Sequence, residues 1–197
     1  FKKKIELQYS KFLTYDITPF YIYNPLVIDR IFNFSPDTKI IATLRNPIDR
    51  AYSNFNNRIR DDGIQKSTFE EMVSNEIELI KNTKKDMSNN TFLVDTFYEL
   101  DLARGFYAKQ LELWFKKFPR ENILLISSED LATHTDTTLN QIFEFLDVPQ
   151  QRIKDLTKQN KIQYPKMKDS TRETLNTFFK PYNEKLFEMI GKRFNWD

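Results

Sequence analysis

The sequence predicts an α/β fold: a single domain over residues 1–197, built as one parallel β-sheet flanked by α-helices. Two observations carry this reading. Residues 39–44 and 122–127 are short apolar runs bounded by turn signals, the pattern of buried strands. Around them, apolar residues recur at helical spacing, and two of these helical stretches open on an Asn-Pro pair, at Asn24-Pro25 and Asn46-Pro47. Strands alternating with helices pair in parallel through right-handed crossovers.

The elements follow in order. Residues 13–16 read as a short strand or extended run. Asn24 then caps a helix with Pro25 in its first turn, ending near Phe34. Ser35-Pro36-Asp37 is a turn, and the strand over 39–44 completes a β-α-β unit. Asn46-Pro47 opens the next helix, whose stripe is Ile48, Ala51, Tyr52, Phe55 and Ile59; Asp61-Asp62-Gly63 ends it. Thr68 with Glu71 forms a capping box before a helix carrying Phe69, Met72, Val73, Ile77 and Ile80. Residues 82–90 are a polar loop that runs into Asn89-Asn90-Thr91, a glycosylation triplet of a kind common by chance. One long helix is predicted over 97–118, stopped by Pro119. The strand over 122–127 follows, and then a helix with Leu139, Ile142, Phe143 and Leu146. Residues 150–168 are polar and Lys-rich. Ser170 and Glu173 form a second candidate box before a last helix that contains Pro181. There is no internal repeat.

Composition removes several function classes. The net charge of +2 gives no dense basic patch for nucleic acid. With no cysteine there is no disulfide framework, thiolate chemistry or Cys-held metal. The one histidine, His134, reads as a surface loop residue, which argues against a Ser-His-Asp triad or a multi-histidine metal site. Only Gly63, Gly105 and Gly191 are available, so neither GxGxxG nor GxxxxGK[ST] can be written. No apolar run reaches the roughly 18 residues that span a bilayer. The absence of cysteine and of a visible signal favours a cytoplasmic location. The chain opens on Phe1 rather than Met, so an upstream segment is expected, with room in it for an anchor.

The chemistry concentrates in Thr43-Leu44-Arg45-Asn46-Pro47-Ile48-Asp49-Arg50-Ala51-Tyr52-Ser53. Arg45 leaves the carboxyl end of a strand, where open α/β sheets bind ligands. The helix that follows offers its positive end, and arginine adds a permanent, forked cation. Arg50, Ser53 and Asn57 point away from the apolar stripe. Two readings follow from the residues alone: a phosphate site, or an arginine paired with a carboxylate beside a solvated serine.

The segment resembles the 3′-phosphate-binding strand and helix of the sulfotransferases that use 3′-phosphoadenosine 5′-phosphosulfate (PAPS), where Arg-[Asp/Asn]-Pro precedes Arg-Ala-x-Ser. Other stretches resemble that family in the same order. They are Tyr15-Asp16-Ile17-Thr18-Pro19-Phe20-Tyr21, Arg104-Gly105-Phe106-Tyr107 with Trp114, Ser128-Glu129-Asp130-Leu131, Phe145-Leu146-Asp147-Val148 and the terminal Gly191-Lys192-Arg193-Phe194-Asn195-Trp196. The Arg-Ala-Tyr-Ser form is similar to the carbohydrate and bacterial branch.

The resemblance implies a P-loop-NTPase-like sulfotransferase fold, PAPS as co-substrate, no metal, and a carbohydrate acceptor sulfated on a hydroxyl or amine. It implies that Arg45 and Ser53 hold the 3′-phosphate. Lys158, Lys161 and Lys166 lie in the stretch that folds over the nucleotide in that family; Lys161 and Lys166 are taken as its contacts. Asp16, Thr18 and Gln110 fall on the acceptor side. Ile17 and Gln110 stand where heparan-type or other members carry Lys and His, which points to a different acceptor. Trp114 is read as core. Glu129 and Asp130 are read as loop anchors, with Arg50 as their partner. The family's Lys-x-Gly-[Thr/Ser] loop and its base have no counterpart here and are expected upstream of Phe1. If they are lacking altogether, the alternative is a non-catalytic nucleotide- or glycan-binding homologue. A nucleotide kinase would instead need a Walker loop and Mg²⁺. Carbohydrate members are often Golgi-lumenal, the alternative to the cytoplasm if an anchor precedes the chain.

Overall fold

The computed structural model describes residues 13–63, 67–83, 100–153 and 164–196. A 3-10 turn at Pro19–Tyr23 leads into α1 (Pro25–Phe34), β1 (Ile40–Leu44), α2 (Pro47–Asp62) and α3 (Phe69–Thr83). A second 3-10 turn, Ala103–Gly105, precedes α4 (Tyr107–Lys117) and β2 (Ile123–Ser127). The short α5 (Ser128–Thr133), α6 (Thr135–Leu146) and the long α7 (Asp169–Ile190) follow.

β1 and β2 pair in parallel, from Ile40 opposite Ile123 to Leu44 opposite Ser127. The two strands therefore end side by side, and the turns into α2 and α5 leave the sheet together. This α/β architecture with a parallel sheet is the one the sequence predicts. Among the described residues β2 is the only strand beside β1. Ile41 and Thr43 on β1 are exposed while Leu44 is buried, so β1 is not covered on both faces as a fully buried strand would be.

Two apolar clusters share α7. Its first half gives Leu175 and Phe179 to a cluster with Ile48, Ala51 and Phe55 of α2 and Phe69 and Val73 of α3. Its second half gives Leu186 and Phe187 to a cluster with Leu44, Leu125, Leu111 and the tail residues Phe194 and Trp196. α7 runs past Pro181 as one element and ends at Gly191, whose φ of 69° suits a residue without a Cβ. No helix among the described residues is long and apolar enough to cross a membrane.

The predicted caps are present: Asn24 accepts from Leu26 N–H at 3.0 Å. Thr68 and Glu71 close their box at 2.7 and 3.2 Å. Three expectations need correction. Of the two forms expected for residues 13–16, the strand is not found: no strand pairs with them among the described residues, and Asp16 accepts from Thr18 Oγ1 and Tyr21 Oη, at 3.3 and 2.7 Å. The helix predicted over 97–118 is broken at Phe106 (φ −81°, ψ 57°), whose N–H closes a 3-10 turn on the Ala103 carbonyl at 3.0 Å; further back Glu76 accepts from the N–H groups of Asp101 and Leu102, at 3.0 and 2.7 Å, and residues 97–99 lie outside the described residues. Ser170 does not cap α7: Met167 is drawn into the core, so the helix starts earlier, after Lys168. The helix α3 runs through the start of the predicted polar loop, to residue 83. The rest of that loop and the triplet Asn89-Asn90-Thr91 lie outside the described residues.

Candidate functional site

At the carboxyl end of β1 the chain turns through Arg45 and Asn46 into α2. Asn46 caps the helix, its Oδ1 accepting from Ile48 N–H at 2.9 Å, and Pro47 fits the first turn without losing a hydrogen bond. The Asn46 amide nitrogen donates to the Trp196 carbonyl at 2.6 Å. The single peptide unit joining Arg45 to Asn46 is held at both of its polar groups. Its carbonyl accepts from the Tyr107 hydroxyl at 3.0 Å, and its N–H donates to Glu129 Oε1 at 3.0 Å.

Both holding groups are themselves fixed. Glu129 Oε2 accepts from Ser127 Oγ at 2.8 Å and from the Trp196 indole at 3.1 Å. Burial pushes the Glu129 carboxyl up. The hydrogen bonds from Asn46, Ser127, its own N–H and Trp196 outweigh this and hold it below its ordinary range, so it stays an anion and an acceptor. Burial pushes the Tyr107 phenol up, so it stays neutral and a donor. From below, Gly105 packs so closely that a Cβ there would lie 2.8 Å from both Pro47 Cβ and Phe179 Cε1.

On this platform Arg45 is half-buried. Among the described residues its guanidinium has no carboxylate partner and the Ser53 hydroxyl has no hydrogen bond. Ser53 lies two turns into α2 on the Asn46 side of the helix. One turn further, Asn57 Oδ1 is buried without a donor. The sequence leads to the expectation that Arg50 pairs with Glu129 or Asp130; it pairs with neither. Its Nη2 donates to the Asp101 carbonyl and its Nε is buried without a partner. Asp101, 1% exposed, anchors this face of α2, accepting from Arg58 and, at 2.7 Å, from Asn54 Nδ2. Asp49 in the first turn is taken by Arg172 at 2.5 Å.

The remaining predicted residues fall in different places. Asp16 is exposed and bonded to Thr18 and Tyr21 in one turn, followed by Phe20 and Tyr23 under the Arg104 guanidinium, 6.0 and 5.4 Å from the ring centres. Gln110 is 1% exposed, on the inward side of α4; its Nε2 donates to the Arg104 carbonyl at 2.9 Å and its Oε1 is buried without a partner. Lys158 and Lys161 lie outside the described residues. Lys166 is exposed and pairs with Asp169 at 2.9 Å, while the neighbouring Pro165 carbonyl accepts from Tyr52 Oη at 2.7 Å, one residue from Ser53. Trp114 is core, its indole donating to the Ile22 carbonyl at 3.0 Å. His134 is exposed between α5 and α6. A cavity of about 180 Å³ lies beside β2, lined by Ser127, Asp130, His134 and Lys192 among others; neither Arg45 nor Ser53 lines it. Among the described residues no cluster of three metal-ligating side chains occurs.

Residues 27–189 match the family model described as the sulfotransferase domain. The chain belongs to the sulfotransferases. Its relatives include carbohydrate enzymes of that family. It is 24% identical to heparan sulfate glucosamine 3-O-sulfotransferase 5 of Mus musculus over 219 residues, covering 100% of this chain and 60% of that protein. It is 27% identical to carbohydrate sulfotransferase 15 of Mus musculus, covering 87% and 33%. It is 25% identical to the membrane-associated sulfotransferase kil1 of Dictyostelium discoideum, covering 92% and 52%. A sulfotransferase structure from Alicyclobacillus acidocaldarius superposes with a TM-score of 0.70 at 27% identity, covering 90% of this chain and 64% of that one. The chain thus spans between about a third and two thirds of the proteins it matches.

For this sulfotransferase chain, sequence reasoning located the Arg45 turn but not what holds it. Tyr107, Glu129 and Trp196 reach it across 62, 83 and 150 positions. Each lies in a stretch that carries the family resemblance, the one signal that could have drawn attention to them. Asp101 and Glu76 lie in none of these stretches.

Proposed function

We propose that this chain supplies the 3′-phosphate side of the nucleotide site in a sulfotransferase that moves a sulfuryl group from PAPS to a carbohydrate hydroxyl or amine. The observation that carries this reading is Arg45. It is a cation unpaired among the described residues, at the carboxyl end of a parallel strand, on a turn held from three sides, with Ser53 ahead of it on the helix. A doubly charged phosphate matches a forked guanidinium, a hydroxyl and a helix N-terminus. In the transfer, the bond from sulfur to the bridging oxygen of the phosphosulfate breaks. A sulfur–oxygen or sulfur–nitrogen bond to the acceptor forms, and the acceptor's proton passes to a base. Adenosine 3′,5′-bisphosphate leaves. Lys166, beside Pro165 and hence beside α2, belongs to the nucleotide side in this reading. Lys161, in the same Lys-rich stretch, does so on the family resemblance. Asp16 and Thr18 belong to the acceptor side. No step calls for a metal.

The test is calorimetric titration of adenosine 3′,5′-bisphosphate into the chain, with 5′-AMP as control. Binding that requires the 3′-phosphate supports the reading. Equal affinity for both nucleotides would refute the placement of the 3′-phosphate at Arg45.

A further inference from the structure

The peptide between Arg45 and Asn46 stands apart in how it is satisfied. In a strand its carbonyl and N–H would be paired by a neighbouring strand; in a helix, by the helix itself. Here it belongs to neither: β1 ends at Leu44 and α2 begins at Pro47. Its two polar groups are met by two side chains from separate elements, Tyr107 on α4 and Glu129 on α5, each at 3.0 Å. A peptide held at one group can still rotate about the flanking bonds. Held at both, its plane is fixed, and with it the direction in which the Arg45 side chain leaves the backbone.

We propose that Tyr107 and Glu129 are positioning residues for Arg45, which act by clamping this one peptide plane so that the guanidinium is aimed at its anion before the anion arrives. The inference rests on the reading of Arg45 as a 3′-phosphate ligand. Three features support it. Tyr107 is buried and neutral, so its hydroxyl is a committed donor. Glu129 is an anion bonded at both oxygens, so it cannot swing away without breaking contacts to Ser127 and Trp196. The Arg45 guanidinium itself is held by no carboxylate among the described residues, so its aim comes from the backbone. A side chain pre-aimed in this way loses less freedom on binding, and that saving appears directly as affinity.

The geometry also separates the two clamps by chemistry. Tyr107→Phe deletes the donor and keeps the ring. Glu129→Gln keeps an oxygen that can face Asn46 N–H, whereas Glu129→Leu does not. All are measured on the full chain by titration with adenosine 3′,5′-bisphosphate, with melting curves recorded to show that each variant is folded. Tyr107→Phe is expected to weaken binding about 10-fold, the size of one lost hydrogen bond. In an Arg45→Ala background it is expected to change binding less than about 2-fold, because there is no guanidinium left to aim. Glu129→Leu is expected to fall about 10-fold and Glu129→Gln to stay within about 3-fold of wild type.

A merely structural role would lower affinity by the same factor with or without Arg45, and would treat Glu129→Gln and Glu129→Leu alike. Either result overturns the clamp while leaving Arg45 as the ligand. If Arg45→Ala binds as tightly as wild type, both the clamp and the assignment of Arg45 are overturned. A Tyr107→Phe loss that vanishes in the Arg45→Ala background supports both.

Discussion

β1 and β2 end on the same residue pair, Leu44 beside Ser127, and each leads into a helix. The two junctions use the same geometry in opposite ways. After β2, the helix start is consumed locally. Ser127 Oγ accepts from the N–H groups of Glu129 and Asp130, both at 3.2 Å, and the first turn of α5 carries two carboxylates. After β1, Asn46 takes only Ile48 N–H, and the first-turn carboxylate, Asp49, is turned to Arg172. Among the described residues Arg45 has no carboxylate partner and the Ser53 hydroxyl no hydrogen bond. The junction with the acidic residues is also not independent: Glu129 reaches across to hold the other one. In the proposed reading the two adjacent strand ends divide the work, one presenting charge to the nucleotide and its neighbour supplying the rigidity that aims it.

The largest way to break this contrast is Arg45→Ala, which leaves the β1 junction as unreceptive as that of β2. Affinity for adenosine 3′,5′-bisphosphate is expected to drop about 100-fold, against about 2-fold or less for 5′-AMP, when measured by calorimetry. Gly105→Ala attacks the support instead. Its Cβ would meet Pro47 and Phe179 at 2.8 Å, and the chain is expected to lose about 2 kcal/mol in urea unfolding. Ser127→Ala removes the cap of α5 and one bond to Glu129. It should cost about 1 kcal/mol of stability and weaken nucleotide binding only a fewfold.

A pH series sharpens the comparison most finely. Glu129 titrates below its ordinary value of 4.5 in the folded chain, so its contribution is present above that pH and lost as pH falls through the lowered value. Glu76, pushed up from 4.5 chiefly by burial, has the opposite slope: folding favours its protonated form, so its contribution is full below 4.5 and is lost as the group ionises with pH rising through the raised value. The stability gap between wild type and Glu129→Gln should therefore shrink on acidification below 4.5. Glu76→Gln should improve relative to wild type as pH rises above it.

Local rules made most of the helices and both strands legible. Asn24, Asn46, Gly63 and Thr68 announce helix ends through interactions within four residues, which a sequence pattern can hold. The failures share a cause. Ahead of the break at Phe106, a carboxylate on α3, Glu76, captures two N–H groups 25 and 26 positions away, a contact no local pattern announces. The early start of α7 follows from burial of Met167. Gln110, set on the acceptor side by the family resemblance, is enclosed by the packing of α4. At the candidate site, Arg45 and Ser53 were visible because strand end, helix start and spacing are local. The clamp was not, because Tyr107 and Glu129 meet the turn only once β2, α4 and α5 have been folded around it.

The most direct measurement is a crystal structure of the chain with adenosine 3′,5′-bisphosphate bound. The account predicts the 3′-phosphate within hydrogen-bonding distance of the Arg45 guanidinium and Ser53 Oγ, with the Tyr107 and Glu129 bonds to the Arg45–Asn46 peptide intact. A phosphate seated instead in the cavity beside β2, against Lys192 and His134, with Arg45 in solvent, would contradict it.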